Sequence, residues 1–400
     1  MIRSIEGLRG VAALLVALFH AYVYNRWGGF PAKSGVLQHA WLFVDLFFVI
    51  SGYVMASAYS KRLDSLRSVA AYMVRRFFRL YPLHIVTTAS VLLAVVGVQT
   101  AKLILSGFGL NLGNEAPFAV DFFNLKLLGL DLLLLQGVGI MRMEIHNYPS
   151  WSISVEFWLY LIFALLMLVV RARTVRIAMS AAIVGLCVAY FVDYWSTAPH
   201  ALQTLDTRGL PRGMLSFFQG VLLFYLWPHC SGRFAGAPIG GASNDARGAG
   251  SRRDGIALSL AQLAAAGLAL YLVAIQPQLG TAQLVIPFSF TLVVMLLLPD
   301  RGLVARLLQT RPVQWLGRHS YSIYLTHVTV AIVLDWPGRT VPEPAKHLVG
   351  LLFLGTVFAL SALSYRYIEN PWRERGRLIA DRIEAGDVFA DQGKTNERPQ

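Results

Sequence analysis

Two polar residues with a regular spacing open the chain. Gly7-Leu8-Arg9-Gly10 leads through an unbroken apolar run to Phe19-His20, so Arg9 and His20 stand eleven residues apart. In a helix, about 100° and 1.5 Å per residue put them on one face, roughly 16 Å apart along the axis. A guanidinium near a membrane surface and an imidazole deep below it suit a long ligand with an anionic head and a reactive far end. Acyl-coenzyme A has that shape. Taken singly, Arg9 reads equally well as a charged helix anchor and His20 as a helix-packing residue.

Further polar residues interrupt later apolar runs, where they are costly and mark function by default. Asp45 begins Asp45-Leu46-Phe47-Phe48-Val49-Ile50-Ser51-Gly52-Tyr53, at a depth similar to that of His20. An acid that holds and polarises an imidazole prepares a general base. Asp45 could instead cap its own helix, and Ser51-Gly52 could be a small-residue packing contact. Arg75, Arg76 and Arg79 alternate with aromatic residues before Pro82 and offer forked donors for phosphate. A plain basic cluster beside a membrane would look similar. Trp151-Ser152-Ile153-Ser154-Val155-Glu156 places an acid about 8 Å into another run with no Lys or Arg beside it. Ser320, Tyr324 and His327 share a helix face, with Tyr321 adjacent, as a cavity lining would.

The elements that must position these residues are membrane helices. Of 400 residues 56% are hydrophobic and 14% charged, with mean hydropathy +0.54, well short of the charge content of soluble domains. Ten apolar stretches of membrane-crossing length occupy residues 8–24, 41–59, 81–98, 151–170, 177–194, 210–227, 256–275, 281–298, 320–334 and 347–365. The expected fold is therefore an all-α polytopic bundle. An eleventh run, 125–140, is expected to be re-entrant or interfacial. With that choice 26 of the 35 Lys and Arg fall on one side, and nine on the other. Cytoplasmic loops hold the basic excess, so both termini are expected in the cytoplasm. The same bias accounts for most of the net charge of +13, which on a soluble protein would raise a nucleic-acid surface; none is expected here. Cys187 and Cys230 offer neither a disulfide framework nor metal-ligand spacing, and no metal is expected. Residues 231–255, rich in Gly, Ala, Ser and Arg, read as a flexible loop. The outer segment 99–150 could cover a site on its face and carries Glu115, Asp121, Glu144 and His146. The membrane domain is expected over 1–375 and a charged, disordered tail over 376–400.

The stretches from Gly7 to His20, Asp45 to Tyr53, Arg76 to Arg79, Trp151 to Glu156 and Ser320 to His327 together resemble the acyltransferase family 3 membrane proteins. The resemblance runs from Ile2 to about Arg375. It implies a multi-pass bacterial inner-membrane O-acyltransferase that uses cytoplasmic acyl-coenzyme A, commonly acetyl-coenzyme A, as donor substrate. The acceptor would be a hydroxyl of a glycan, a lipid-linked saccharide or another polar molecule such as a macrolide. No permanently bound cofactor is implied. The family's arginine–histidine motif falls on Arg9 and His20, making His20 the base or transient acyl carrier. Its arginine pair falls on Arg76 and Arg79, which with Arg9 would hold the donor's phosphates. Glu156 matches the acid after the Trp-Ser motif, and Asp45 would orient His20. Trp151, Ser154, Tyr321, Tyr324 and His327 would line the acceptor route. Two departures stand out: Phe157 occupies the place of a second acid, and no hydrolase-like domain follows the last span, so transfer is expected to finish within the membrane domain or with a partner. The competing reading is a secondary transporter of polar glycolipids or metabolites using His, Asp and Glu as a proton relay. Inverted halves with matching broken helices, which would favour it, are not visible in the sequence.

Overall fold

The computed structural model describes residues 2–25, 33–108, 124–140, 146–197, 208–231 and 244–386, and among them it is helical without strands. In chain order the helices are α1 (Arg3–Asn25), α2 (Gly35–Gln38), α3 (Phe43–Tyr59), α4 (Leu66–Gly107), α5 (Leu125–Leu132), α6 (Ser150–Val169) and α7 (Arg173–Thr197). They continue as α8 (Gly209–Ser231), α9 (Asn244–Ala274), α10 (Val285–Leu297), α11 (Leu303–Leu308), α12 (Arg311–Thr340), α13 (Glu343–Ser364) and α14 (Asn370–Ala385).

The ten expected spans fall on α1, α3, α4, α6, α7, α8, α9, α10, α12 and α13. Eight candidate spans among the described residues are long and apolar enough to cross a membrane. The helices of the ten that are not among them are α8 and α12, which carry Arg212, His319, His327 and Asp335. Their polar residues face protein, and Arg212 and His327 are buried. Outward-facing positions such as Leu186, Leu260, Leu351 and Leu352 stay exposed, as lipid contact requires. The chain is a polytopic all-α membrane bundle. The run 125–140 does not cross: α5 has eight residues, about 12 Å of helix against a hydrocarbon core of about 30 Å.

Two close helix crossings position the polar residues. A Cβ on Gly10 would lie 2.3 Å from the backbone nitrogen of Gly317, and one on Gly317 would lie 2.4 Å from the Glu6 carbonyl. Only glycine lets α1 and α12 approach so closely. Likewise a Cβ on Gly52 would meet the Phe217 carbonyl at 1.9 Å, and one on Gly220 the Val49 carbonyl at 2.0 Å, joining α3 to α8. These are the small-residue contacts by which membrane helices pack.

Two expectations about loops are corrected. The stretch 231–255 is helical from Asn244 onward as the start of α9, while 232–243 lies outside the described residues. The tail is helical as far as Ala385. Its charge is one-sided: Gly376 seats against Phe78 of α4, Trp372 stacks on Phe78 at 5.9 Å, and Arg75 pairs with Asp381 and Glu384 at 2.8 and 2.7 Å. An amphipathic helix with such partners folds where a charge count alone reads disorder. Residues 387–400 lie outside the described residues, as do Glu115, Asp121 and Glu144.

Candidate active site

Helices α1, α3, α4, α6 and α12 enclose a cavity of about 210 Å3. Arg9, Arg76 and Arg79 line it, together with Glu156, Ser51, Tyr160, Tyr321 and Tyr324. The three arginines come from two helices far apart in the chain, and among the described residues none has a carboxylate within salt-bridge distance. Arg76 is steadied by aromatic faces: its guanidinium carbon lies 5.3 Å from the Tyr59 ring and 5.6 Å from those of Tyr72 and Tyr160, and Nη2 donates to the Tyr59 hydroxyl at 3.1 Å. Such contacts orient a cation without neutralising it, leaving its remaining donors for an anion. Glu156 is held on the same wall, accepting from Ser51 Oγ at 2.9 Å and from the Tyr160 hydroxyl.

A second cavity, about 340 Å3, lies around the far end of the α1 motif. His20, His39, Trp41, Tyr148, Trp151 and Arg212 line it. Val44 and Tyr324 belong to both walls, so the arginine-lined and histidine-lined cavities meet there. The Tyr324 hydroxyl lies 2.8 Å from Ser152 Oγ and donates to the Pro149 carbonyl at 3.2 Å, which fixes this partition. His20 is 4% exposed, its Nδ1 is 3.0 Å from the Val16 carbonyl, and His327 Nε2 lies 3.1 Å from the same atom.

The arginine-lined and histidine-lined cavities sit within a chain whose relatives are recognisable. A family model described as an acyltransferase domain, that of acyltransferase family 3, matches residues 2–369. The chain belongs to acyltransferase family 3. Among the relatives of this acyltransferase-family chain is the Staphylococcus aureus (strain COL) protein named "Putative O-acetyltransferase SACOL0978", 24% identical over 94% of this chain and 58% of its own length. "Putative membrane-bound transacylase BcsY" of Komagataeibacter xylinus is 27% identical over 92% of this chain and 82% of its own. "Protein 2 in picA locus" of Rhizobium radiobacter is 41% identical over 21% of this chain and 41% of its own. The chain spans about half the length of the first of these curated relatives. No solved structure matches it.

In this family member the structure brings together Arg9, Arg76, Arg79, Glu156, Tyr321 and Tyr324 at one cavity, and His20 and Trp151 at the other. Three expectations need correction. Asp45 does not hold His20: its carboxylate accepts from Arg212 Nη2 at 2.8 Å and Nε at 3.0 Å, and from Ser216 Oγ at 3.2 Å. Equal depth in the membrane says nothing about direction around a helix axis, and α8 stands on the side of α3 that Asp45 faces. Ser154 lines neither cavity; its hydroxyl donates to the Leu134 carbonyl at 2.6 Å and accepts from the Gly137 amide at 3.1 Å, pinning the turn after α5. His327 lies behind His20, where it meets the imidazole and not the cavity.

Sequence reading missed Arg212, which is 2% exposed and lies under Trp41 and Trp151 at 4.9 and 5.3 Å. The signal was present, since an arginine two residues inside the stretch 210–227 is expensive. Tyr148 was also missed; its ring sits 6.0 Å from that of His20, and nothing in a loop sequence announces it.

Proposed function

We propose that the chain is a multi-pass inner-membrane O-acyltransferase that moves an acyl group, typically acetyl, from acyl-coenzyme A to a hydroxyl of a glycan or other polar acceptor. Both termini would be cytoplasmic. The observation that carries the reading is the pair of abutting cavities: one holds three arginines that have no ion-pair partner among the described residues, the other holds His20, and Val44 and Tyr324 divide them. The names of the staphylococcal and Komagataeibacter relatives agree with acyl transfer in a membrane.

Arg9, Arg76 and Arg79 would bind the donor's phosphates through charge-assisted hydrogen bonds. The pantetheine arm would follow α1 towards Tyr324 and present the thioester to the second cavity. The acceptor would stack against Trp41, Trp151 or Tyr148 with its hydroxyl towards His20, which takes the proton as general base. Glu156, tied to Ser51 and Tyr160, would shape the passage between the cavities.

The test is coenzyme A release from acetyl-coenzyme A by purified protein in detergent, with and without lipid-linked glycans extracted from membranes. Wild type should release it, His20→Ala should not, and Arg9→Ala should recover at high acetyl-coenzyme A. Equal release by His20→Ala removes that residue from the chemistry. Absence of release under both conditions, together with absence of acetyl-coenzyme A binding, overturns the reading and brings the transporter forward.

A further inference from the structure

His20 and His327 meet across the α1–α12 crossing with their rings 4.8 Å apart and both buried, at 4% and 0% exposure. Each Nδ1 faces a backbone carbonyl one turn back in its own helix, that of Val16 at 3.0 Å from His20 and that of Ile323 at 3.2 Å from His327. A carbonyl oxygen only accepts, so the network assigns a hydrogen to Nδ1 of each ring. A neutral His327 then carries its lone pair on Nε2, and that atom lies 3.1 Å from His20 Nδ1. Among the described residues these contacts are mutually consistent in one direction. The His20 Nδ1–H is shared between the Val16 carbonyl and His327 Nε2, and the His327 Nδ1–H donates to the Ile323 carbonyl. Reversing either tautomer sets a lone pair against a carbonyl in a buried site.

We infer that His327 is a positioning residue that locks His20 as its Nδ1–H tautomer, so that Nε2 is the atom that accepts the acceptor's proton. The inference rests on the reading of His20 as the base in acyl transfer. As the acceptor oxygen attacks the thioester carbonyl, its proton passes to His20 Nε2. The new C–O ester bond forms, the C–S bond breaks, and the departing coenzyme A thiolate takes the proton back from Nε2. While His20 is an imidazolium, its Nδ1–H donates more strongly to His327 Nε2 than the neutral ring does. His327 stays neutral throughout, because two imidazoliums in contact repel. A neutral imidazole thus supplies the orientation that a carboxylate supplies in a Ser-His-Asp triad, while Asp45, the nearby acid, is held by Arg212.

Among the described residues, the titratable and charged groups facing His20 are His327 and Tyr324 on α12, Tyr148 before α6, His39 after α2, and Arg212 on α8 with its counter-ion Asp45 on α3. The test is coenzyme A release from acetyl-coenzyme A, with the membrane glycan extract, followed across pH for wild type, H20A, H327F, H327Q and H327N. H327F should lower kcat by about 10²-fold and leave KM for acetyl-coenzyme A unchanged. The ascending limb of its pH profile should move to lower pH, since the imidazolium has lost its acceptor. H327Q, whose Oε1 reaches the Nε2 position, should restore most of the rate; H327N, one bond shorter, should not. Where H327F does not fold, the Gln–Asn pair makes the same comparison. Equal kcat and pH limb in all His327 variants, or equal loss in Gln and Asn, with H20A inactive, overturns the positioning role and spares the base. Activity in H20A overturns both.

Discussion

Asp45 and Arg212 form an ion pair with side chains 0% and 2% exposed, inside a bundle that offers either charge little water. Removing one partner of such a pair strands the other. Asp45→Ala should cost on the order of 3–5 kcal/mol, read as a large fall in Tm in detergent, and Arg212→Ala a similar amount. Asp45→Ala, Arg212→Met together should recover much of that loss, since two uncharged side chains leave no stranded charge. Failure of the double variant to recover stability would mean that Ser216 and the Trp faces around Arg212, and not the ion pair, dominate the site. A second residue-level prediction concerns Asp300, outside the spans. Partial burial pushes its carboxyl up, but hydrogen bonds from Ser4, Gln309 and Arg3 outweigh this and hold it below the ordinary carboxylate value. The stability it contributes is therefore fully present above that ordinary range and lost as pH falls through the lowered folded value. Asp300→Asn should lack this acid limb, so the Tm values of wild type and variant converge on acidification. Spacing along one helix was legible in the sequence because helix geometry is local, and Arg9 and His20 fall where it placed them. The Asp45 partner was not, because it is decided by which neighbouring helix stands on that side.

At the scale of elements, the α1–α12 crossing does for the site what no single side chain can. Glycine at 10 and 317 lets the helices approach until His20 touches His327. Gly10→Val should force them apart, costing about 1–3 kcal/mol of overpacking and lowering acyl transfer beyond the stability loss, because the imidazole contact goes with the crossing. Gly267→Ala on α9, where an added Cβ meets nothing within 4 Å, should be neutral or stabilising by about 0.5–1 kcal/mol. Comparing activity at matched fractions folded separates crossing geometry from general stability. The helices expected as spans were legible as blocks of hydropathy, and eight of them are long and apolar enough to cross among the described residues; α8 and α12, which fall short, carry Arg212, Tyr324 and His327. The last helix was not, because its stability comes from a groove on α4: Phe78 receives Gly376 and Trp372, and Arg75 meets two acids. Charge density alone cannot distinguish that arrangement from a solvated tail.

For the whole molecule, the two cavities divide the bundle along its length. The N-terminal segment is tied to Asp300 and packs Gly7 against Leu308, and α14 docks on the part of α4 that carries Arg75, Arg76 and Arg79. Both ends of the described chain therefore lie towards the arginine cavity, while His20, Trp41, Trp151 and Arg212 gather towards the other end. On the proposed reading, the positive-inside rule would turn the arginine end, which shares its side with most of the Lys and Arg, towards the cytoplasm. On the proposed function, donor and acceptor would then approach from opposite faces and meet at the passage by Val44 and Tyr324, which line both cavities. Sealed inside-out vesicles should bind acetyl-coenzyme A added to the medium and transfer its acetyl group, whereas right-side-out vesicles should do so only after permeabilisation. Widening the partition with Tyr324→Ala should leave donor binding in place and uncouple it from transfer, releasing coenzyme A with acetate in place of acetylated acceptor. Equal activity of both vesicle types before permeabilisation would mean that donor and acceptor enter from the same face, and that the two cavities are one route and not two.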